Sequence, residues 1–419
     1  MNEHLYENAI KDIFSRHPSV QVSGFNGRSY KSGIESMKAF DTLMGEPWRA
    51  YPCIHVAGTN GKGSVCSMLA SVLAESGLRC GLYTSPHLLD FRERIKLIDG
   101  SGAQMIDKES VMSFLDNYKS DIEGLSFFEI TTAMAFSWFA EQKVDCALIE
   151  TGLGGRLDST NIISPILSIV TSIGLDHCTM LGDSREAIAG EKAGIFKPDT
   201  DALVWGHDME TDKVFENYAA KIGAKLHFAD DLQSPIHLEG MDLEGEYQDS
   251  NVRSVLAALS LLKDRFEITD KPLEAIRHTA SKTSLHGRWE RLSTSPEVIC
   301  DIGHNPPALQ KNFAQLRESG KSLLIVYGIM ADKDLNGIAE WMPDGEYFLC
   351  APDSARAMKT DELEHRLRVL RPDLNLHKCG SVSDAVHKAM SKASKNPSKS
   401  LVYIGGSTFV VAEALESFQ

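Results

Sequence analysis

Pro52-Cys53-Ile54-His55-Val56-Ala57-Gly58-Thr59-Asn60-Gly61-Lys62-Gly63-Ser64 is the stretch on which the reading of this chain turns. Residues 52–57 are an apolar run of strand length, and residues 64–76 have the spacing of a helix ended by Gly77; glycine dominates the turn between them. Strand, glycine turn and helix in that order make a phosphate cradle. Glycines let backbone N–H groups converge on an anion, the helix N-terminus adds favourable potential, and Lys62 supplies a mobile positive charge. The wording departs from G-x-x-x-x-G-K-[ST], because Gly58 stands three before Gly61 and Gly63 intervenes before Ser64. A plain glycine-rich turn beside a solvated lysine is the structural alternative, and the strand–turn–helix placement favours the cradle. Lys62 is expected to face solvent until a nucleotide binds.

Outward from this stretch, short apolar runs alternate with amphipathic helical segments, which is the pattern of a parallel-sheet α/β protein. Strands are expected at 80–84, 144–149, 166–171 and 202–205, with a strongly apolar helix at 127–142 and a charged, glycine-containing stretch at 182–198. The runs 144–149 and 166–171 are apolar on both faces, as central strands require. Residues 236–248 are acidic and irregular, and helices are expected at 251–262 and 271–283. A segment without a period of its own, 285–294, precedes Pro296 and reads as a linker. A second α/β rhythm follows, with strands near 298–302, 323–327, 347–351 and 401–404. The expected architecture is a P-loop ATPase-type domain with a central, mostly parallel sheet over 1–285, a linker at 286–295, and a smaller Rossmann-like α/β domain over 296–419.

Composition narrows the class. The 419 residues are 42% hydrophobic and 24% charged, too apolar for a disordered chain. Lysine and arginine number 43 against 58 acidic residues, so the net charge of −15 argues against a nucleic-acid or membrane partner. No apolar run reaches the ~20 residues of a spanning helix, and the start lacks the basic-then-apolar pattern of a signal peptide. The eight cysteines form no C-x-x-C pair and sit mostly in apolar segments, so buried, reduced thiols in a cytoplasmic protein are expected.

Ligands in open α/β sheets bind beyond the carboxyl ends of the strands. Three such ends carry polar groups: Ser85 in Ser-Pro-His-Leu after 80–84, Glu150 in Glu-Thr-Gly-Leu-Gly-Gly-Arg-Leu-Asp after 144–149, and His177 in Leu-Asp-His after 166–171. A carboxylate at a buried strand end beside a phosphate loop suits Mg²⁺, which wants oxygen ligands and substrate phosphates. A serine or histidine there serves equally well as a cap or a loop hydrogen-bonder.

Six strings in order carry a more specific resemblance: His-Val-Ala-Gly-Thr-Asn-Gly-Lys-Gly-Ser (55–64), Thr-Ser-Pro-His-Leu (84–88), the nine residues 150–158, Leu-Asp-His (175–177), Glu-Lys-Ala-Gly-Ile (191–195) and Asp-Ile-Gly-His-Asn-Pro (301–306). Together they resemble the dihydrofolate synthase/folylpolyglutamate synthase family, within the Mur ligase superfamily of ATP-dependent amide-forming enzymes. The resemblance runs from about residue 33 to Gly405-Gly406-Ser407.

The resemblance implies that Thr59, Asn60, Gly61, Lys62, Gly63 and Ser64 wrap the ATP phosphates and that Ser85, Glu150 and His177 are magnesium ligands, although nitrogen is an unusual partner for so hard a cation. Lys192 matches a lysine that the family carries as a carbamate, an anionic oxygen ligand for a second Mg²⁺; without that context it reads as a surface lysine. Lys62, Lys192 and His177 are thereby implied as the catalytic set, with a monovalent cation as a further candidate. Asn251 resembles the adenine contact, Arg288 an arginine reaching the ATP phosphates, and Asp301 another ATP-linked group. His304 and Ser407 fall on the glutamate side, with a loop histidine and a helix N-cap as their structural alternatives. For the pterin the family pattern points to Ser126, Phe127, Phe128, Glu129, Leu157, Asp158 and Ser159. Phe127 and Phe128 suit an apolar core as well, whereas Glu129 is expected to meet a pterin amino group because a buried carboxylate needs partners. Ser32-Gly33-Ile34-Glu35-Ser36 departs from the family's Leu-Gly-Leu-x-Arg-like string, with Ser36 in place of the basic residue.

The implied reaction is ATP-dependent ligation of L-glutamate to dihydropteroate and to reduced folates through an acyl phosphate, by a monomer whose two domains close on the nucleotide. A monofunctional folylpolyglutamate synthase is the nearest alternative. A Mur-type UDP-sugar ligase is disfavoured, since only about 50 residues precede the phosphate loop. A non-catalytic nucleotide switch would have no use for Lys192, Arg288 and the 301–306 motif.

Overall fold

Strand β1 (Cys53–Ala57) is buried along its whole length because it has a parallel neighbour on each side. Those neighbours are β5 (Cys146–Glu150) and β6 (Leu167–Val170), which explains why all three are apolar on both faces. The computed structural model describes residues 3–20, 24 and 33–418; Ser32 of the departing N-terminal string lies outside them. The chain divides into two units, Met1–Met241 with Gln248–Leu285, and Asp242–Tyr247 with His286–Gln419.

In the first unit, eight strands among the described residues pair in the order β4-β3-β2-β5-β1-β6-β7-β8. Here β2 is Cys80–Tyr83, β3 Ile95–Asp99, β4 Gly102–Met105, β7 Asp201–Val204 and β8 Lys225–Phe228. All pairings are parallel except those of β3 and β4, which form an antiparallel hairpin at one edge. The hairpin turn was readable in Asp99-Gly100-Ser101-Gly102: Asp99 Oδ1 accepts from the Ser101 N–H (2.8 Å), and Gly102 takes φ +107°. An aromatic-rich core on one side of the sheet includes Tyr51, Phe114, Phe127, Phe136 and Phe139; a separate core built around Val170, Ile188, Ile195 and Phe215 lies under the helix Arg185–Ala193. That helix occupies the charged stretch, and Ser184 caps it by accepting the Ala187 N–H.

Two helical expectations change at their ends. The helix expected at 251–262 spans Gln248–Leu262, and 271–283 is two short helices, Pro272–Arg277 and Thr279–Thr283, separated at His278.

In the second unit, β10 (Glu297–Cys300), β11 (Ser322–Tyr327), β12 (Glu346–Leu349), β13 (Asn375–Lys378) and β14 (Ser400–Gly405) are parallel, in the order β13-β12-β11-β14-β10. The expected linker contains β9 (Glu290–Thr294), an antiparallel edge strand on β10 with a register shift at Val298/Ile299. Its period was obscured because β9 is an edge strand, half-buried to exposed along its length. Segment 242–247, read as part of the first domain, belongs to the second unit: Arg291 pairs with both Glu244 and Glu297 there.

All eight cysteines are free thiols; Cys178 is exposed and the others are buried. Among the described residues no helix is long and apolar enough to cross a membrane.

Candidate active site

The loop after β1 needs its glycines for space as well as for conformation. Gly58 has φ +154°, and a Cβ there would sit 1.7 Å from Thr171 Oγ1; at Gly61, φ +90°, it would sit 2.4 Å from Asn251 Oδ1. Gly61 starts the helix Lys62–Glu75 without a side-chain cap, so the first-turn N–H groups keep their affinity for an anion. The loop is anchored at its sides. Thr59 N donates to Ser172 O (2.8 Å), Thr59 Oγ1 to Gly174 O (3.1 Å), and Thr171 Oγ1 to Asn60 O (2.7 Å).

Lys62 does not face solvent as expected. Its ammonium folds back to donate to Gly58 O (3.1 Å) and Thr59 O (3.3 Å) and lies 3.9 Å from Glu150 Oε1. The loop carbonyls and the carboxylate draw it inward. Glu150, buried at the end of β5, also accepts the Ser85 N–H at Oε2 (3.0 Å).

Lys192, far off in sequence, reaches the same loop: its Nζ donates to Gly58 O at 2.8 Å. It is a buried lysine, not the surface lysine of the alternative reading, with no carboxylate at ion-pair distance among the described residues. Burial, with the Lys62 charge adding, lowers its pKa to about 7; Asp176 and Asp158 pull the other way. His177 takes a left-handed conformation (φ +54°), with Nε2 3.8 Å from Asp176 Oδ2. The structure thus brings Lys62, Ser85, Glu150 and Lys192 to one loop and places His177 beside Asp176. Asp176, the middle residue of the Leu-Asp-His string, is the neighbour that the sequence reading did not single out. Gln248 was missed too: buried, it donates to Ser64 Oγ (3.3 Å) and accepts from Asn251 Nδ2 (2.7 Å). Its signal was a glutamine one helical turn before Asn251.

Among the described residues no three His, Cys, Asp or Glu side chains cluster as a metal cage. One carboxylate and a hydroxyl beside a phosphate loop do fit Mg²⁺, which keeps waters and shares phosphate ligands.

The residues expected to meet the pterin separate into two kinds. Glu129 is buried and has partners within the protein. Its Oε2 accepts Ser126 N and Ser126 Oγ, both at 2.7 Å, closing a capping box on the helix Phe127–Glu141, and its Oε1 accepts Ser36 Oγ. Ser36, replacing a basic residue, therefore ties its own helix, Glu35–Leu43, to this cap. Phe127 is core, stacked on Phe14 with centroids 4.8 Å apart. Phe128 lies against Gly152, where a Cβ would come within 2.6 Å of its ring, just past Glu150. Asp158 is buried and caps the turn Ser159–Ile162, and Leu157 and Ser159 beside it are half-buried.

In the second unit the Asp301 carboxylate is saturated. Oδ2 accepts Tyr247 Oη (2.7 Å) and Trp289 N (2.8 Å), and Oδ1 accepts Gly303 N and Asn312 Nδ2, each at 2.7 Å. Four donors leave it little to offer a nucleotide directly, so its geometry suits holding the backbone beside Arg288. Arg288 is half-buried, with Nη1 3.3 Å from His286 O. His304 Nδ1 meets Ile302 O at 2.9 Å, and Ser407 is the N-cap of the helix Thr408–Glu416, its structural alternative. Tyr247→Phe is expected to lower stability by about 1.5–3 kcal/mol, the worth of a hydrogen bond to a charged group, read as a lower urea midpoint.

A phosphate loop on a parallel sheet, joined to a second α/β unit, is the framework of an ATP-dependent Mur-type ligase. Two profiles match accordingly, "Mur ligase middle domain" over residues 56–260 and "Mur ligase, glutamate ligase domain" over 287–408. A dihydrofolate synthase/folylpolyglutamate synthase of Escherichia coli K12 is 33% identical over 94% of this chain and 93% of its own length. The chain belongs to the dihydrofolate synthase/folylpolyglutamate synthase family. Among solved structures, Escherichia coli FolC in complex with DHPP and ADP superposes with TM-score 0.81 at 28% identity, covering 98% of this chain and 97% of that one. A bifunctional folylpolyglutamate synthase/dihydrofolate synthase with Mn, AMPPNP and L-glutamate bound gives TM-score 0.75 at 29% identity, covering 93% and 94%.

Proposed function

We propose that this protein joins L-glutamate to dihydropteroate, forming dihydrofolate, and to reduced folates, extending their polyglutamate tail, with ATP as the activating substrate. The convergence of Lys62, Glu150, Ser85 and Lys192 on one glycine loop carries this reading, in a chain whose relatives have these two activities in their names.

A carboxylate oxygen of the pteroate attacks the γ-phosphorus of ATP; the bond to the bridging oxygen breaks, and ADP leaves. The amine of glutamate then attacks the acyl carbon, phosphate departs, and the amine loses its proton to solvent or phosphate. Residues 59–64 hold the polyphosphate through backbone N–H groups. Lys62, released from the Gly58 and Thr59 carbonyls, follows the charge on the transferring group, the main demand of phosphoryl transfer. Asn251, propped by Gln248, lies beside the loop as the adenine contact. In the second unit Arg288 is the phosphate-side cation and Asp301 holds its neighbour Trp289 in place; His304 and Ser407 serve glutamate.

Magnesium, when bound, polarises phosphoryl oxygens and neutralises developing charge. Ser85 and Glu150 would hold one ion, and His177 with a carbamylated Lys192 a second. The carbamate forms when the neutral Nζ attacks CO₂ and releases one proton, and a buried, weakly basic amine is suited to that addition. A monovalent cation completes the proposed set, and the monomer is the proposed acting form.

The test is phosphate release with dihydropteroate, tetrahydrofolate or a UDP-sugar, each with and without glutamate. Release with both pterins that depends on glutamate is expected. Release with tetrahydrofolate alone indicates the monofunctional polyglutamate synthase, and release with the UDP-sugar alone refutes the reading. Glu150→Gln keeps the shape but removes the charge, so about tenfold more Mg²⁺ is expected at half-maximal rate; an unchanged Mg²⁺ titration would refute its ligand role.

A further inference from the structure

His55 is wholly buried in the middle of β1, between two parallel strands, where an aliphatic side chain would be the ordinary occupant. Its Nε2 lies 2.8 Å from Thr160 Oγ1, and its Nδ1 is buried with no hydrogen-bond partner. Thr160 Oγ1 lies 2.5 Å from Asp158 Oδ1. A carboxylate can only accept, so the hydroxyl proton goes to Asp158, and His55 must donate from Nε2. The tautomer is thereby assigned, and Nδ1 is a bare acceptor facing no donor. Burial, with Lys197 adding, drives the imidazole pKa down to about 3, so the ring is neutral.

This arrangement is a poor way to stabilise a sheet. A buried nitrogen without a partner is a cost, and removing both partners of a buried polar contact for apolar groups is near neutral or favourable. What the histidine does provide is direction. The hydrogen bonds run from the strand that carries the phosphate loop, through Thr160, to the carboxylate that holds residues 152–158: Asp158 Oδ1 also accepts Thr160 N (3.0 Å), and Oδ2 accepts Leu153 N (2.8 Å).

We propose that His55 is a positioning residue for the pterin side of the site, holding Thr160 so that Asp158 and the loop from Glu150 keep one arrangement relative to the phosphate loop. The proposal rests on the reading of Asp158 as a pterin contact. Asp158→Asn checks that reading by a raised KM for dihydropteroate, and the ratios of the His55 and Thr160 variants to wild type check this one.

His55→Leu and Thr160→Val break the chain of hydrogen bonds at its start and its middle. Each is expected to raise the KM for dihydropteroate about tenfold, with the KM values for ATP and glutamate within twofold of wild type. The urea midpoint of His55→Leu should equal or exceed that of wild type. His55→Gln, whose amide can donate to Thr160, is expected to recover most of the pterin affinity. In the unmodified protein, ¹⁵N NMR of the imidazole should show the Nε2–H tautomer. An unchanged dihydropteroate KM in both His55→Leu and Thr160→Val would overturn the proposal, as would an equal rise in all three KM values or an Nδ1–H tautomer. Should His55→Leu fail to fold, Thr160→Val and the tautomer decide alone.

Discussion

Lys192→Ala is expected to lose about a thousandfold in glutamate ligation, the several kcal/mol that a correctly held metal contributes to the transition state, while the protein folds normally. A buried ammonium beside Lys62 and polyphosphate repels its neighbour and cannot coordinate a cation; a carbamate reverses that charge and supplies oxygen. In the alanine variant, acetate or formate can occupy the vacated space and is expected to restore part of the rate. Lys192→Arg should stay inactive, since guanidinium keeps its charge and does not add CO₂. Near-normal ligation by the arginine variant would refute the carbamate. The pH dependence has a definite sign. With a pKa of about 7 in the fold and roughly 10.4 in the unfolded chain, the unfolded state holds the extra proton between those values. The stability penalty of the bare amine therefore shrinks as pH rises from about 7 to about 10.4. In CO₂-depleted buffer, Lys192→Met should raise the unfolding midpoint at pH 7 and raise it less at pH 10. At a fixed concentration of dissolved CO₂, activity should return faster above pH 7, where the amine is mostly neutral.

Lys62→Ala is expected to abolish ATP turnover, about a thousandfold or more, on the scale of removing a preorganised charge from a transferring phosphoryl group. Folding should survive. The ammonium binds only its own loop's carbonyls and a carboxylate 3.9 Å away, and its side chain is 17% exposed, so water can replace it. Losing this cation should also raise the affinity of the Glu150 side for Mg²⁺ in the absence of nucleotide, because the charge nearest the carboxylate is gone. Isothermal titration with Mg²⁺ alone reads that effect independently of turnover. Normal ATP turnover by a folded Lys62→Ala would remove the phosphate-loop assignment.

Local chemistry was legible in the sequence wherever it is encoded by neighbours along the chain. The glycines at 58 and 61, the apolar runs on both sides of β1 and the strand-end positions of Ser85 and Glu150 follow from local backbone and burial requirements, and the ordered motifs identified the family from the same information. Short antiparallel pieces were less visible: β9 is an edge strand, half-buried to exposed, and β3–β4 needed its turn recognised. Ser407 caps the helix Thr408–Glu416 by accepting the Val410 N–H, one of the two readings its sequence allowed, and its hydroxyl proton is still available to the proposed glutamate contact.

Tertiary structure decided what depends on distant segments meeting. The Nζ of Lys192 reaches a carbonyl 134 residues away, and the resulting burial, not its charged neighbours in sequence, sets its basicity. Glu129 is held by Ser36, 93 residues earlier, and by its own helix cap, which engage both its oxygens. Asp301 became a holding group because Tyr247, Trp289 and Asn312 converge on it, and that convergence placed 242–247 in the second unit. Sequence by itself determined the glycine turn between strand and helix, the α/β class and the family, since backbone conformation and apolar periodicity are local properties. Desolvation and hydrogen-bond saturation depend on which remote groups share a volume, and only the folded chain specifies that.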